Sequence, residues 1–153
     1  MIERYSRKEV KQIWEDQNRY KIWLEIELAA AQAMEKFNII PKGVTKKVKS
    51  KSKIDVKKIA KIEGKVRHDV IAFLNSIMDR SGKEGRFLHK GMTSSDILDT
   101  FFNLQLKQSG EIILKDIIEL LSSIKKQSIK HKFTLCIGRS HGIHAEPTTF
   151  GLK

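Results

Sequence analysis

Apolar side chains recur along most of this chain at three- and four-residue spacing, the period of a helix with one buried face. Val10, Ile13 and Trp14 predict a short amphipathic helix over residues 7–16. A longer one is predicted from about Asn18 to Phe37, with Ile22, Ile26, Ala29, Ala33 and Phe37 along one face. It breaks at Asn38-Ile39-Ile40-Pro41-Lys42-Gly43, because Pro41 has no amide hydrogen to continue the ladder. Asp55 is placed to cap a helix carrying Ile59 and Ile62, and Gly64 reads as a joint. Val66, Val70, Phe73, Leu74 and Ile77 form the next stripe, stopped by Ser81-Gly82.

From Thr93 to about His131 the helical rhythm runs unbroken through Ile97, Phe101, Leu104, Ile113, Ile117, Leu121 and Ile124. Such a helix is on the order of 50 Å long. Thr93-Ser94-Ser95-Asp96 has the form of a capping box at its start. Leu98, Phe102, Leu106, Ile112, Leu114, Ile118 and Leu120 widen its apolar arc beyond one stripe, so it needs several neighbours. The chain supplies too few long helices to cover it, which implies an oligomeric bundle or further chain. The predicted class is all-α: a small N-terminal helical domain over residues 1–92, then the beginning of a long-helix bundle domain over 93–153, truncated. No internal repeat is visible.

Composition supports a packed domain: 40% of the 153 residues are hydrophobic, and two prolines and nine glycines are few for a turn-rich all-β fold. The single Cys136 permits no internal disulfide, and Met1 to Lys8 is charged from the third residue, without the apolar core of a signal peptide. No stretch approaches the ~18 apolar residues that cross a bilayer. The expected setting is cytoplasmic, with no membrane partner.

The formal charge is +12, and its distribution matters more than its size. Between Lys42 and Lys65 ten lysines face only Asp55 and Glu63, which places +8 of the +12 in 24 residues. The cations are 23 lysines and seven arginines, with no aromatic inside the basic run to stack on bases. A solvated lysine-rich surface accounts for this, and nucleic acid is not the expected partner. The competing reading is a small basic helical module that binds RNA or acidic partners through residues 42–65.

Four polar clusters interrupt the helical pattern: Arg4-Tyr5-Ser6, Arg67-His68-Asp69, His89 through Asp96, and Gly138 through Gly151. Each has an ordinary structural reading. Arg4 and Tyr5 could decorate a fraying terminus, Arg67-His68-Asp69 could start a helix, and Thr93 and Ser94 could only cap one. The last cluster sets two histidines, a carboxylate, three hydroxyls and an arginine between three glycines, and imidazole is the side chain suited to move a proton near neutrality. His141 and His144 without a clear third ligand are weak evidence for zinc.

In order and spacing the clusters resemble the N-terminal part of the adenylosuccinate lyase family, within the fumarase/aspartase superfamily. Met1-Ile2-Glu3-Arg4-Tyr5-Ser6 resembles the family's opening, and Val66-Arg67-His68-Asp69-Val70 matches its Arg-His-Asp motif. His89-Lys90-Gly91-Met92-Thr93-Ser94-Ser95-Asp96 is similar to H-Y-G-L-T-S-T-D, with Lys90 for tyrosine and Ser95 for threonine. Gly138 to Gly151 reproduces G-R-T-H-G-x-H-A-E-P-T-T-F-G with Ser140 for threonine. Fumarases and argininosuccinate lyases carry a leucine-glutamine pair where this chain has Gly142-Ile143.

The resemblance implies an all-helical subunit of a homotetramer, with active sites built from three subunits and no metal or cofactor. It implies β-elimination of fumarate from adenylosuccinate, giving AMP, and from the succinyl-carboxamide ribotide of purine biosynthesis. By similarity His141 would be the general acid for the departing nitrogen, and His68 would hold the substrate beside it. Thr93, Ser94 and Ser140 would offer hydroxyls to the succinyl carboxylates. Arg4, Tyr5, Arg67 and Asp69 would contact the nucleotide. The family's G-S-S-x-M-P-x-K-x-N-P loop, which carries the serine base, does not occur in these residues. The chain is therefore expected to be a partial lyase, inactive alone.

Overall fold

The structure, a computed structural model, describes residues 2–153, the side chain of Glu3 excepted. A 3-10 turn at Glu3–Tyr5 leads into six helices: α1 Lys8–Ile13, α2 Asp16–Lys36, α3 Val44–Lys51, α4 Val56–Val66, α5 Asp69–Ser81 and α6 Ser94–Lys130. A 3-10 segment at Gly82–Phe87 joins α5 to the loop before α6. After α6 come two strands, β1 Leu135–Ser140 and β2 Ile143–Thr149. The molecule is all-α apart from this hairpin, and the long helix runs from Ser94 as its rhythm predicts. The chain divides inside α6 into two compact units, the first ending at Ser109 and the second spanning Gly110–Lys153.

The first unit is organised by rings. Trp23 is 1% exposed, with Tyr20 at 5.3 Å, Phe73 at 5.5 Å and Phe101 at 6.0 Å between centroids, all edge-on. Tyr20 and Phe73 stack at 5.9 Å. Around them pack Val44 and Val48 of α3, Ile59 of α4, Val70, Ala72 and Ile77 of α5, Leu88, and Ile97 of α6. The buried face of α2 thus differs from the predicted stripe. Ile22 is buried, but Ala29 and Ala33 are exposed and Phe37 is 71% exposed, beyond the helix end. Tyr20, Trp23, Glu27 and Ala31 form the inner face, because aromatic bulk, not the count of aliphatic side chains, decides which face fills the core.

One boundary is also shifted. Gly64 lies within α4, and the joint is Arg67, which ends α4 in the left-handed region at φ 56°. The lysine-rich run is not featureless: Val44 and Val48 anchor α3, and its lysines occupy the remaining faces. Asp55 does cap α4, accepting from the Lys58 backbone N–H at 3.0 Å.

The break after α2 is held by Glu35, whose carboxylate accepts from the backbone N–H of Thr45 at 2.5 Å and of Gly43 at 3.1 Å. The Thr45 bond above all holds its pKa below the ordinary glutamate value of 4.5. A depressed folded value stabilises above the unfolded value, and that contribution disappears as pH falls through the folded one. Glu35→Gln is therefore expected to lower the melting temperature at neutral pH, with the gap from wild type closing in acid below 4.5. Paired thermal melts across that range check it, and a gap that widened in acid would contradict it.

In the second unit, half of α6 carries a bare apolar arc. Ile113, Leu114, Ile117, Ile118, Leu120, Leu121 and Ile124 are between 47% and 61% exposed. The width of this arc is what the sequence predicts, and each of these side chains keeps about half of its surface exposed. No helix is long and apolar enough to cross a membrane among the described residues.

Candidate active site

Strand chemistry explains why the box from Gly138 to Gly151 is ordered where its glycines and proline predict a break. Leu135↔Thr149 and Cys136↔Thr148 open an antiparallel ribbon of β-favouring residues. Pro147 is tolerated because a two-stranded ribbon leaves an edge on each strand, where no ladder bond is required. The register shifts between Ile137 and Arg139, at Gly138, then resumes with Arg139↔His144 and Ser140↔Ile143. Two residues close the ribbon: His141 at φ 52° and Gly142 at φ 78°. Tight hairpin turns need positive φ at both central positions, which glycine supplies freely and histidine only under constraint.

The hairpin is fastened to the last turn of α6 and to the turn that follows it. Gly151 N–H donates to His131 O at 2.9 Å, Phe150 N–H to Thr134 O at 2.8 Å, and Ser128 Oγ–H to Gly151 O at 2.6 Å. A Cβ at 151 would meet the Lys132 backbone at 2.7 Å, so the approach requires glycine. At the far end His141, Ser140 and His144 are exposed, and Arg139 reaches toward His144 Nε2 at 3.5 Å.

The first unit gathers other candidates around the heads of α5 and α6. His68 is the N-cap of α5: Nδ1 accepts from the Ile71 backbone N–H at 3.4 Å and stands 3.5 Å from Asp69 Oδ1. Its Nε2 lies 3.4 Å from Ser94 Oγ at the start of α6. Asp69 also accepts from Val70 N–H at 2.7 Å. Half of the predicted capping box forms: Thr93 N–H donates to Asp96 Oδ2 at 2.8 Å. The first turn of α6 has backbone N–H groups without intrahelical partners, a setting that favours an anion.

Arg67 is exposed next to His68. Arg4 and Tyr5 pair with each other, guanidinium to hydroxyl at 3.0 Å and 4.8 Å over the ring, both exposed. The structure therefore joins His68, Asp69 and Ser94 in one cluster beside Thr93, keeps Arg4 with Tyr5, and carries Ser140 and His141 on the hairpin of the second unit. Three of the four non-glycine residues with left-handed backbone are Arg67, His89 and His141, all within the polar clusters. Strain of this kind concentrates at functional positions. No group of three or more His, Cys, Asp or Glu is placed to hold a metal ion among the described residues.

Sequence reasoning passed over Glu27. It is wholly buried, and its carboxylate takes the His89 backbone N–H at 2.7 Å and lies 2.7 Å from His89 Nδ1. Glu27 stands four residues after Trp23 and four before Ala31, on the face that the structure turns inward and the aliphatic stripe did not mark, so nothing in the sequence singled it out.

A protein-family model described as Lyase matches residues 3–153. Adenylosuccinate lyase of Bacillus subtilis is 44% identical over the whole chain, which covers 36% of that enzyme. Adenylosuccinate lyase of Aquifex aeolicus is 46% identical, again across the whole chain and 36% of the enzyme. Among solved structures, fumarate lyase from Mesorhizobium superposes with a TM-score of 0.87 at 24% identity, over 93% of this chain and 34% of that one. β-Carboxy-cis,cis-muconate cycloisomerase from Acinetobacter calcoaceticus gives 0.84 at 25% identity, over 95% and 36%. The chain thus spans about a third of the length of the relatives it matches, at their N-terminal portion.

Proposed function

The chain belongs to the Lyase family, and from that premise we propose that it is the N-terminal part of an adenylosuccinate lyase, a carbon-nitrogen lyase that releases fumarate. The observation that carries the reading is identity of 44% and 46% to enzymes of that name along the entire chain. The Gly138 to Gly151 box adds the chemistry that the reaction needs.

In the elimination a base removes the proton beside one succinyl carboxylate, the carbon-carbon double bond of fumarate forms, and the carbon-nitrogen bond breaks. The departing purine-bound nitrogen takes a proton, which His141 supplies. Charge accumulates on the carboxylate next to the lost proton as a dianionic aci-carboxylate. Fixed donors there stabilise the transition state more than the bound substrate. Thr93, Ser94 and Ser140 serve as those donors. His68, linked to Ser94, steadies the substrate beside His141, and Arg4, Tyr5, Arg67 and Asp69 hold the nucleotide, the arginines by charge-assisted bonds to phosphate. In a homotetramer of complete subunits different chains complete each site, so His68 and His141 need not come from one copy. Residues 1–92 and 93–153 would then be the N-terminal domain and the start of the bundle domain. The same site would take both adenylosuccinate and the succinyl-carboxamide ribotide of purine biosynthesis.

The G-S-S-x-M-P-x-K-x-N-P loop does not occur in these 153 residues, so in this reading none of them is the base. Incubated with adenylosuccinate, the chain alone is expected to release no fumarate. A chimera in which it replaces the matched 36% of the Bacillus subtilis enzyme is expected to do so. Absorbance at the fumarate band reads both. A chimera that folds and assembles yet stays inert would sink the reading.

A further inference from the structure

Glu27 touches none of the residues assigned above, yet its surroundings are not those of an incidental core residue. A carboxylate withdrawn from water must be fully paired to be tolerated. Its two oxygens divide between the His89 backbone N–H and the His89 ring nitrogen Nδ1, each at 2.7 Å. His89 is held at φ 60°, a left-handed conformation that a residue with a side chain keeps only where its surroundings enforce it. From His89 the chain turns, with Met92 N–H donating to His89 O at 3.3 Å and Gly91 also left-handed at φ 72°. It arrives at Thr93, bonded to Asp96, and at Ser94, bonded to His68.

We propose that Glu27 is a positioning residue for the elimination, acting through His89. Its carboxylate fixes the turn that delivers Thr93 and Ser94 to His68, and it fixes which His89 ring nitrogen carries hydrogen. A carboxylate only accepts, so Nδ1 must be the protonated nitrogen, and Nε2 is the one left to meet a ligand. The inference rests on the lyase reading for its kinetic consequence, but not for the state of the ring.

Glu27→Gln makes the distinction sharp. The His89 backbone N–H still requires an acceptor and takes the amide oxygen. The amide nitrogen then faces Nδ1 as a donor, and the neutral ring must move its hydrogen to Nε2.

Nitrogen-15 spectra of the histidine rings in the intact chain are expected to show a slowly exchanging hydrogen on His89 Nδ1, lost in Glu27→Gln. In the chimera the same substitution is expected to lower kcat by about 10- to 100-fold, with KM changed by less than about threefold because the lost interaction acts on the transition state. A purely structural role would lower the melting temperature and leave kcat unchanged in the folded protein. A bare Nδ1 in the wild-type chain would overturn the proposal, as would wild-type kcat in a Glu27→Gln variant whose ring has inverted. If Glu27→Gln does not fold, Glu27→Asp retains the charge but withdraws it. Its kcat is then expected to fall, by less than in Glu27→Gln, and an unchanged value would overturn the proposal equally. A chimera inert even with Glu27 present counts against the lyase reading alone, and the ring spectra still decide the hold of Glu27 on His89.

Discussion

His141→Ala in the chimera is expected to lower kcat for fumarate release by about 100- to 10,000-fold, the contribution of a well-placed general acid. The loss should appear equally in kcat/KM, because protonation of the leaving nitrogen happens only on the way to the transition state. One control matters. His141 sits at φ 52°, so alanine disturbs the turn as well as removing the ring. Asparagine tolerates the left-handed region, preserves the backbone and cannot act as the acid, so His141→Asn should match alanine in kcat while retaining the amide-exchange protection of the hairpin. Near-wild-type turnover with asparagine would mean that the ring serves the turn and not the chemistry.

Trp23→Ala is expected to destabilise the first unit by about 3–5 kcal/mol, the range for removing a buried large aromatic. Three rings lie within 6.0 Å of it, on α2, α5 and α6, so the void cannot be closed by moving one neighbour. For a domain of this size the melting temperature should fall by at least about 12 °C. Urea unfolding followed by helix signal checks the energy, with an unchanged slope showing that the surface exposed is the same. A loss below about 1 kcal/mol would mean that these rings do not carry the core.

Much of this architecture is legible in the order of residues, because helices write their period directly into the chain. The length of α6, the Asp55 cap and the stop at Ser81-Gly82 follow from periodicity and capping chemistry. What escapes depends on choices that period alone does not resolve. The inner face of α2 is selected by Tyr20 and Trp23 against a comparable row of aliphatics. The helix α3 hides because two valines among lysines suffice to anchor eight residues. The hairpin escapes because glycine and proline signal irregularity, whereas here they permit a shifted register and an edge. The site clusters are visible as motifs, but Glu27 is not, since its partner is 62 positions away and only folding brings the two together.

The seam between Gly151 and the end of α6 has a mechanical consequence. Anchored at Ser128, His131 and Thr134, the ribbon is not a loose strap but a bracket welded to a rod. Rotation of the helix end carries the base of the ribbon with it. The direction in which the ribbon leaves α6, and so where its tip at 141 starts from, is set at that seam.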